Sequence, residues 1–454
     1  SINEILKAGI QLDRNFVINK FIPGVLSALH LFHQTNIYYG KLNLDNILLD
    51  ENGDIILKEC ISDLSGYSQI PLYETIDRAQ CNPISKGYGD KTIDYYAFGI
   101  CIYVLLSGKN FAHLESSEML REKLYQGTYH FLNAAYTLDG ITGDIIRGLT
   151  VDEEEIRWGK VEVDDVLSGK QYNQAVTNKS YLSRAVVFNG REHYSKKSLA
   201  YDLYINWDEA KEFIKLDKIR KWLDTTLTEE LTIEALDTLV SVSLTKNPVA
   251  NILSNADENL CKTILILDPT GPIRLKNVVF KKGGFGPLLA HSVATSKTPI
   301  TQLLAAILFI NVVSIFDVLA EKLSNPLLRE NVSKLLKCND YIKKSEFGFG
   351  IERCLYELNS TLPCQSHLFS KKFCISLGDC LELLNQTSAR FEDIVSKKNL
   401  SSFIATKINL IKEIRNKELE KYPIVQRSRA YQILGIFSLA QKQTRSLNLV
   451  PLCE

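Results

Sequence analysis

The chain has 454 residues, 45% hydrophobic and 23% charged, enough for two or three domains with proper cores. Its 53 basic and 53 acidic residues balance to a formal charge of zero, so no electrostatic footprint points to nucleic acid or to an anionic membrane. Ten cysteines, with no C-x-x-C pair and mostly apolar neighbours, fit reduced, buried thiols in a cytoplasmic protein, and residue 1 does not open a signal peptide.

In chain order, the first periodic stretch spans 17–36. Val17, Ile18, Phe21, Ile22, Val25, Leu26, Leu29 and Phe32 follow a helical period. Asp50-Glu51-Asn52-Gly53-Asp54 is a turn signal between two apolar runs, which predicts a hairpin pairing Asn46–Leu49 with Ile55–Leu57. Residues 171–184 are polar and read as a linker. Ala185 to Tyr194 carries an apolar run, an Asn189-Gly190 turn and a second short strand. A helix is expected next, with Leu199, Leu203, Trp207 and Ala210 on one face, followed by another with Phe213, Ile219, Trp222 and Leu223. From about residue 226 the pattern is mainly helical, with runs at Leu303–Leu319, Leu328–Leu336 and Ile433–Leu439 and a stripe of Phe403, Ile404, Ile408, Ile411 and Ile414. Leu303 to Phe316 is interrupted by Asn311 and Ser314 and is too short to span a bilayer, so it reads as a buried helix.

The most informative stretch is Ile37-Tyr38-Tyr39-Gly40-Lys41-Leu42-Asn43-Leu44-Asp45-Asn46-Ile47-Leu48-Leu49. It resembles the catalytic loop of eukaryotic-type Ser/Thr protein kinases, whose pattern is H-R-D-L-K-x-x-N followed by apolar residues. Tyr39 stands at the His position, Gly40 at the Arg, Lys41 at the catalytic Asp and Asn43 at the loop Lys. Asn46 keeps the position that holds the second magnesium. The D-F-G Asp position, thirteen residues on, is Glu59 in Glu59-Cys60-Ile61, and Asp63 is the alternative, displaced by four residues. Asp94-Tyr95-Tyr96-Ala97-Phe98-Gly99 resembles the kinase D-x-W-S-x-G segment, and Leu105-Leu106-Ser107-Gly108-Lys109 resembles the end of the helix it opens. Pro83 is similar to the Pro of A-P-E, with Ile84 in place of its Glu, and Asp152 to Trp158 is similar to the late D-P-x-x-R segment.

The resemblance implies that Asp94 caps the backbone of the catalytic loop. It also implies that Arg157, lacking its Glu at Ile84, takes another partner. It places residue 1 in the helix after the hinge, so the glycine-rich loop, strand Lys and helical Glu of an upper lobe are expected upstream. The chain then reads as a fragment, or as a product without its front end. An ammonium at Lys41 carries the wrong charge for a base.

Other chemistries are weaker. Gly283-Gly284-Phe285-Gly286 lacks G-x-G-x-x-G spacing and reads as a turn. Cys364, His367, Cys374 and Cys380 match no zinc spacing and read as buried thiols beside a surface His. Trp207 and Trp222 read as core rather than a ligand cage, and His30 and His33 as structural residues on a buried helix. The resulting expectation is a mainly α chain. A protein-kinase-like C-lobe occupies 1–170, a linker with a β-hairpin/helix module 171–225, and an α-helical region 226–454. The lobe is expected to be a catalytically inactive scaffold or regulator, with vestigial Mg/ATP positions Asn46 and Glu59, structural residues Asp94 and Arg157, and no cofactor or metal. A protein partner, or the chain's own 171–454 region, is expected to cover its open face. The alternative is a Ser/Thr kinase using ATP and magnesium, whose N-lobe lies elsewhere.

Overall fold

A computed structural model describes residues 1–9, 12–60, 62, 64, 66–170, 182–225, 229–239, 251–310, 312–322, 325–329, 332–369, 372–386, 398–410 and 429–445. Over these the protein is mainly helical, and its strands form three two-stranded antiparallel hairpins. The chain makes two compact units, Ser1–Ser243 with Ala256–Phe285, and Leu244–Asn255 with Gly286–Glu454.

The first unit opens with α1 (Ile2–Lys7), α2 (Arg14–Phe16) and α3 (Ile22–Gln34), the last two joined by a π-helical turn over Val17–Phe21. That turn precedes Pro23, whose ring and missing N–H disturb the hydrogen bonds one turn back. By length and hydropathy alone, Arg14–Gln34 could cross a membrane. Its residues Val17, Phe21, Ile22, Val25, Leu26 and Leu29 instead pack in the core of this unit.

The hairpin of β1 (Ile47–Leu49) and β2 (Ile55–Leu57) pairs Ile47 with Leu57 and Leu49 with Ile55. Asp50 closes it, its Oδ1 accepting from the N–H groups of Asn52 and Asp54, while Gly53 supplies a φ of +80°. After α4 (Ile76–Ala79), α5 (Lys91–Ser107) starts on an Asp90 cap and ends at Gly108 in the left-handed region. Residues 94–105 of α5 are all buried, which makes it the axis of the lobe. Helices α6 (Ser116–Gln126), α7 (Thr128–Ala135), α8 (Gly140–Leu149) and α9 (Lys160–Leu167) follow.

Beyond it, β3 (Val186–Phe188) and β4 (Arg191–His193) turn through Asn189 and Gly190, both at positive φ. The helix expected to run through Leu199, Leu203, Trp207 and Ala210 is two helices, α10 (Lys196–Ile205) and α11 (Trp207–Ile214). The break falls at Asn206, whose φ of −111° and ψ of 59° are not helical and whose N–H and side-chain amide both donate to the Asp202 carbonyl, capping α10. Phe213 lies near the end of α11, and Ile219, Trp222 and Leu223 lie on α12 (Lys218–Leu223) after a left-handed Asp217. After α13 (Glu230–Leu239), α14 (Asn255–Leu267) packs Leu260, Ile264 and Leu267 with the residues of this module, and β5 (Ile273–Leu275) pairs with β6 (Val278–Phe280). Trp222 is buried and Trp207 packs on the same core; their indole N–H groups donate to the Arg184 carbonyl and to Asp257.

The second unit holds α15 (Phe285–Ala294), α16 (Thr298–Phe309), α17 (Ile315–Lys322), α18 (Ser333–Ile342), α19 (Ile351–Leu358), α20 (Leu377–Gln386), and helices Lys398–Lys407 and Arg429–Thr444. The runs expected at Leu303–Leu319 and Leu328–Leu336 are each broken by a 3-10 turn, Val312–Ser314 and Pro326–Arg329. Asn339 donates to the Leu308 carbonyl, satisfying the end of α16 and letting the chain turn there. Ile411 and Ile414 lie outside the described residues. Cys364, Cys374 and Cys380 are buried thiols and His367 is exposed.

Candidate functional site

The kinase-like loop runs from the end of α3 to β1, and one carboxylate fixes it. Asp94, in the first turn of α5, is completely buried. Its Oδ2 accepts from the Tyr39 N–H at 2.8 Å and its Oδ1 from the Gly40 N–H at 2.7 Å. His33 Nε2 lies 2.9 Å from the same Oδ2. Gly40 has a φ of +63°, a conformation that costs an ordinary residue energy.

The polar side chains of the loop act on its own backbone. Asn46 Nδ2 donates to the Lys41 carbonyl at 2.8 Å, and Asn43 Nδ2 reaches the same oxygen at 3.2 Å and Gln69 Oε1 at 3.1 Å. Gln69 Nε2 returns a bond to the Leu42 carbonyl at 2.8 Å. The Asn46 carbonyl accepts from the Lys58 N–H, and the Tyr39 hydroxyl donates to the Lys58 carbonyl at 2.7 Å, tying the loop to the strand after the turn. Burial pushes the Tyr39 phenol pKa up, with the charges of Cys60, Asp94 and Glu59 adding to the effect.

Lys41 is half-buried. Glu59 is exposed just after β2, and its oxygens accept from the Ser62 N–H at 2.6 Å and the Ser62 hydroxyl at 2.8 Å. Asp63 lies outside the described residues. Cys60 between them is buried, its thiol pushed up to about 11 by burial and then by the Asp94 and Glu59 charges. Arg157 takes backbone partners, donating to the carbonyls of Val151, Thr92 and Asp152, and its guanidinium lies 5.3 Å from the centre of the Tyr96 ring. The structure therefore gathers Asp94, Lys41 and Asn46 around one loop, while Arg157 serves the turn that precedes α9.

Two features escape sequence reasoning. The first is His33 as a partner of Asp94. The second is a buried ion cluster in which Glu74 meets Arg78 Nε at 3.3 Å and Lys86 Nζ at 3.1 Å, while Lys86 also donates to the Gly66 carbonyl. The i,i+4 spacing of Glu74 and Arg78 is the one sequence signal for it. A small cavity lined by Gly40, Gln69, Tyr73, Glu74, Thr75 and Asp94, among others, opens between this cluster and the loop.

The site offers a rigid loop with a cation where the kinase pattern has a base. Magnesium and ATP, which the resemblance implies, meet an Asn46 amide engaged on Lys41 and a Glu59 carboxylate engaged on Ser62. Among the described residues no group of three or more His, Cys, Asp or Glu is placed to hold a metal ion. The Lys41 bond uses the Asn46 nitrogen and not the oxygen that a cation would need, whereas both Glu59 oxygens are turned onto Ser62, and a divalent cation needs several converging oxygens.

No family model and no solved structure matches the chain. Among curated proteins, it is 29% identical over 157 residues to the mouse serine/threonine-protein kinase MRCK gamma, covering 32% of this chain and 10% of that protein. It is 26% identical over 142 residues to the Schizosaccharomyces pombe protein kinase kin1, covering 29% of this chain and 15% of the relative. It is 26% identical over 136 residues to the Arabidopsis thaliana CBL-interacting serine/threonine-protein kinase 12, covering 28% and 27%. The chain thus spans well under two thirds of the length of these relatives. Over the matched stretches these similarities support a kinase-like relationship.

Proposed function

We propose that residues 1–170 form a kinase-like lobe that transfers no phosphate and works as a scaffold or regulator in the cytoplasm through contacts with other proteins. The observation that carries this reading is Lys41 at the base position, in a loop whose frame is otherwise kept by Asp94. Phosphoryl transfer depends on positioning and charge stabilisation by metal, Lys and Asp together. An ammonium accepts no proton from a substrate hydroxyl, and Glu59 is turned onto Ser62. Exposed apolar side chains on and beside the loop support a partner at this end of the lobe: Leu31 at 66%, Ile37 at 38% and Ile56 at 47% exposure.

Incubation of the chain with labelled ATP and magnesium or manganese, with and without a generic Ser/Thr substrate, tests the reading. No incorporation above a heat-killed control is expected. Incorporation that disappears in Asn46→Ala overturns it in favour of a second reading, a Ser/Thr protein kinase completed by an N-lobe. The names of the relatives, all protein kinases, favour that second reading.

A further inference from the structure

Cysteines of the second unit come together at the start of α20. Ser376 caps that helix: its hydroxyl accepts from the Asp379 N–H and its own N–H donates to Asp379 Oδ2, both at 3.1 Å. The Ser376 carbonyl in turn accepts from the Cys380 N–H at 3.2 Å and from Cys374 Sγ at 3.9 Å. The cap thus folds Cys374 back over the first helical turn, beside Cys380. On its other side, the Cys364 N–H donates to the Cys374 carbonyl at 2.8 Å, while the Cys364 thiol is engaged with the Tyr356 hydroxyl.

The chemistry of its sulfur sets Cys374 apart. Burial pushes thiols of this chain up, Cys60 to about 11 and Cys364 to about 12. Among the described cysteines, Cys374 is the one whose pKa is lowered, because the Cys380 thiol hydrogen-bonds to its sulfur; the same contact holds the Cys380 thiol up. The thiolate is the form that oxidants attack. Both side chains are buried, but Cys374 stands between Phe373 at 82% and Ile375 at 43% exposure, one residue beneath the surface. A water-sized oxidant has a short path to it. Cys338 and Cys354 also neighbour each other, on α18 and α19, yet burial holds the Cys354 thiol well above its ordinary range.

We propose that Cys374 and Cys380 are a peroxide-sensitive thiol pair that closes to a disulfide across the first turn of α20. The Cys374 thiolate attacks one oxygen of hydrogen peroxide and breaks the O–O bond; the sulfur becomes a sulfenic acid and the other oxygen leaves as water. The Cys380 sulfur then displaces the sulfenic oxygen, which leaves as a second water. Two thiols give up two electrons and two protons, one peroxide becomes two waters, and a thiol reductant reverses the change by exchange. This inference does not depend on whether the lobe transfers phosphate.

Peptide mass mapping on the full, reduced chain tests it after treatment with hydrogen peroxide, unfolding, alkylation and trypsin. Cleavage after Lys372 and Arg390 puts both cysteines in peptide 373–390, whereas Cys364 falls in 354–371. Peptide 373–390 should appear without alkylation and lighter by two hydrogens, while Cys338, Cys354 and Cys364 stay alkylated. Dithiothreitol should restore both alkylation sites. Cys380→Ser should stop at a sulfenic acid on Cys374, trapped by dimedone, and Cys374→Ser should leave Cys380 reduced. The wild-type arm needs no substitution: peptide 373–390 still alkylated at both cysteines overturns the pair. So does a crosslink between 354–371 and 373–390, because Cys374 then closes onto another partner.

Discussion

Replacing Asp94 by Ala tests the scaffold role of the loop directly. The carboxylate is completely buried and holds the Tyr39 and Gly40 N–H groups at 2.8 and 2.7 Å. Ala removes a charged acceptor from both, and neither gains water in return. A buried donor left unsatisfied costs roughly 1–3 kcal/mol. Two donors therefore put the loss at about 2–6 kcal/mol, before the His33 contact at 2.9 Å is counted. At about 2–4 °C per kcal/mol for a unit of this size, the melting temperature should fall by roughly 4–24 °C. Lys41→Ala, at the degenerate base position, trims a half-buried side chain and should stay within about 0.5–1 kcal/mol of the wild type. The assay is a pair of thermal melts read by circular dichroism, with urea unfolding as a check. An Asp94→Ala protein melting within about 1 °C of the wild type, or a larger loss in Lys41→Ala, would refute the assignment of both positions.

Lys123 is buried in the same unit, with Nζ donating to the Leu72 carbonyl and the Tyr96 hydroxyl, and burial lowers its pKa to about 8. Between pH 8 and about 10.5 the unfolded chain holds a proton that the native Lys123 has lost, so native stability rises with pH across that window and the gain is absent below pH 8. Measured as the difference from Lys123→Met, which cancels the buried tyrosines and cysteines, the rise should be on the order of 3 kcal/mol; a flat difference between pH 7.5 and 10 contradicts it. Gly148→Ala would put a Cβ 2.0 Å from the Trp158 ring, so a loss of about 1–3 kcal/mol and a shift in tryptophan fluorescence are expected. Gly24→Ala would press a Cβ to 2.6 Å from Ile55 Cγ1 and should loosen the β1–β2 hairpin, read as faster exchange at 47–57.

Local chemistry made part of this fold legible in the sequence. The β1–β2 hairpin follows from Asp50, Asn52, Gly53 and Asp54, which act within five residues of one another. The β3–β4 turn follows from Asn189 and Gly190, whose positive φ values are what that residue pair tolerates. The link between Asp94 and the loop is different. No periodicity joins position 94 to 39 and 40, and only the kinase resemblance pointed there. What stayed hidden was polar and distant. Nothing local marks Glu74, Lys86 or Arg274 as buried or pairs Arg274 with Gln80, because charged residues are normally solvated. The helix break at Asn206 was hidden for a related reason. The apolar spacing continues across it, and the change shows only in the non-helical backbone of Asn206, which periodicity does not register.

The frame of the loop rests on its own backbone and on a few side chains around it. The bonds that fix the backbone of residues 39–46 come from several side chains around it. Asp94 holds two amides, Asn43 and Asn46 hold the Lys41 carbonyl, and Gln69 holds Leu42. At position 41 it is the backbone carbonyl that these bonds hold. The Asn46 amide is part of that frame. Loss of magnesium binding would leave it in place, so its presence in the sequence is no measure of activity. The informative experiment is a comparison: Asn46→Ala should destabilise the lobe by about 1 kcal/mol through the lost bond to Lys41. Asn46→Asp removes the donor and sets an oxygen against the same carbonyl, so it should cost more. In a working metal site the order reverses, because a carboxylate there would hold the cation and be stabilised by it. Melting the two variants with and without magnesium separates the cases: indifference to magnesium supports the scaffold, and a magnesium-dependent rise in Asn46→Asp refutes it.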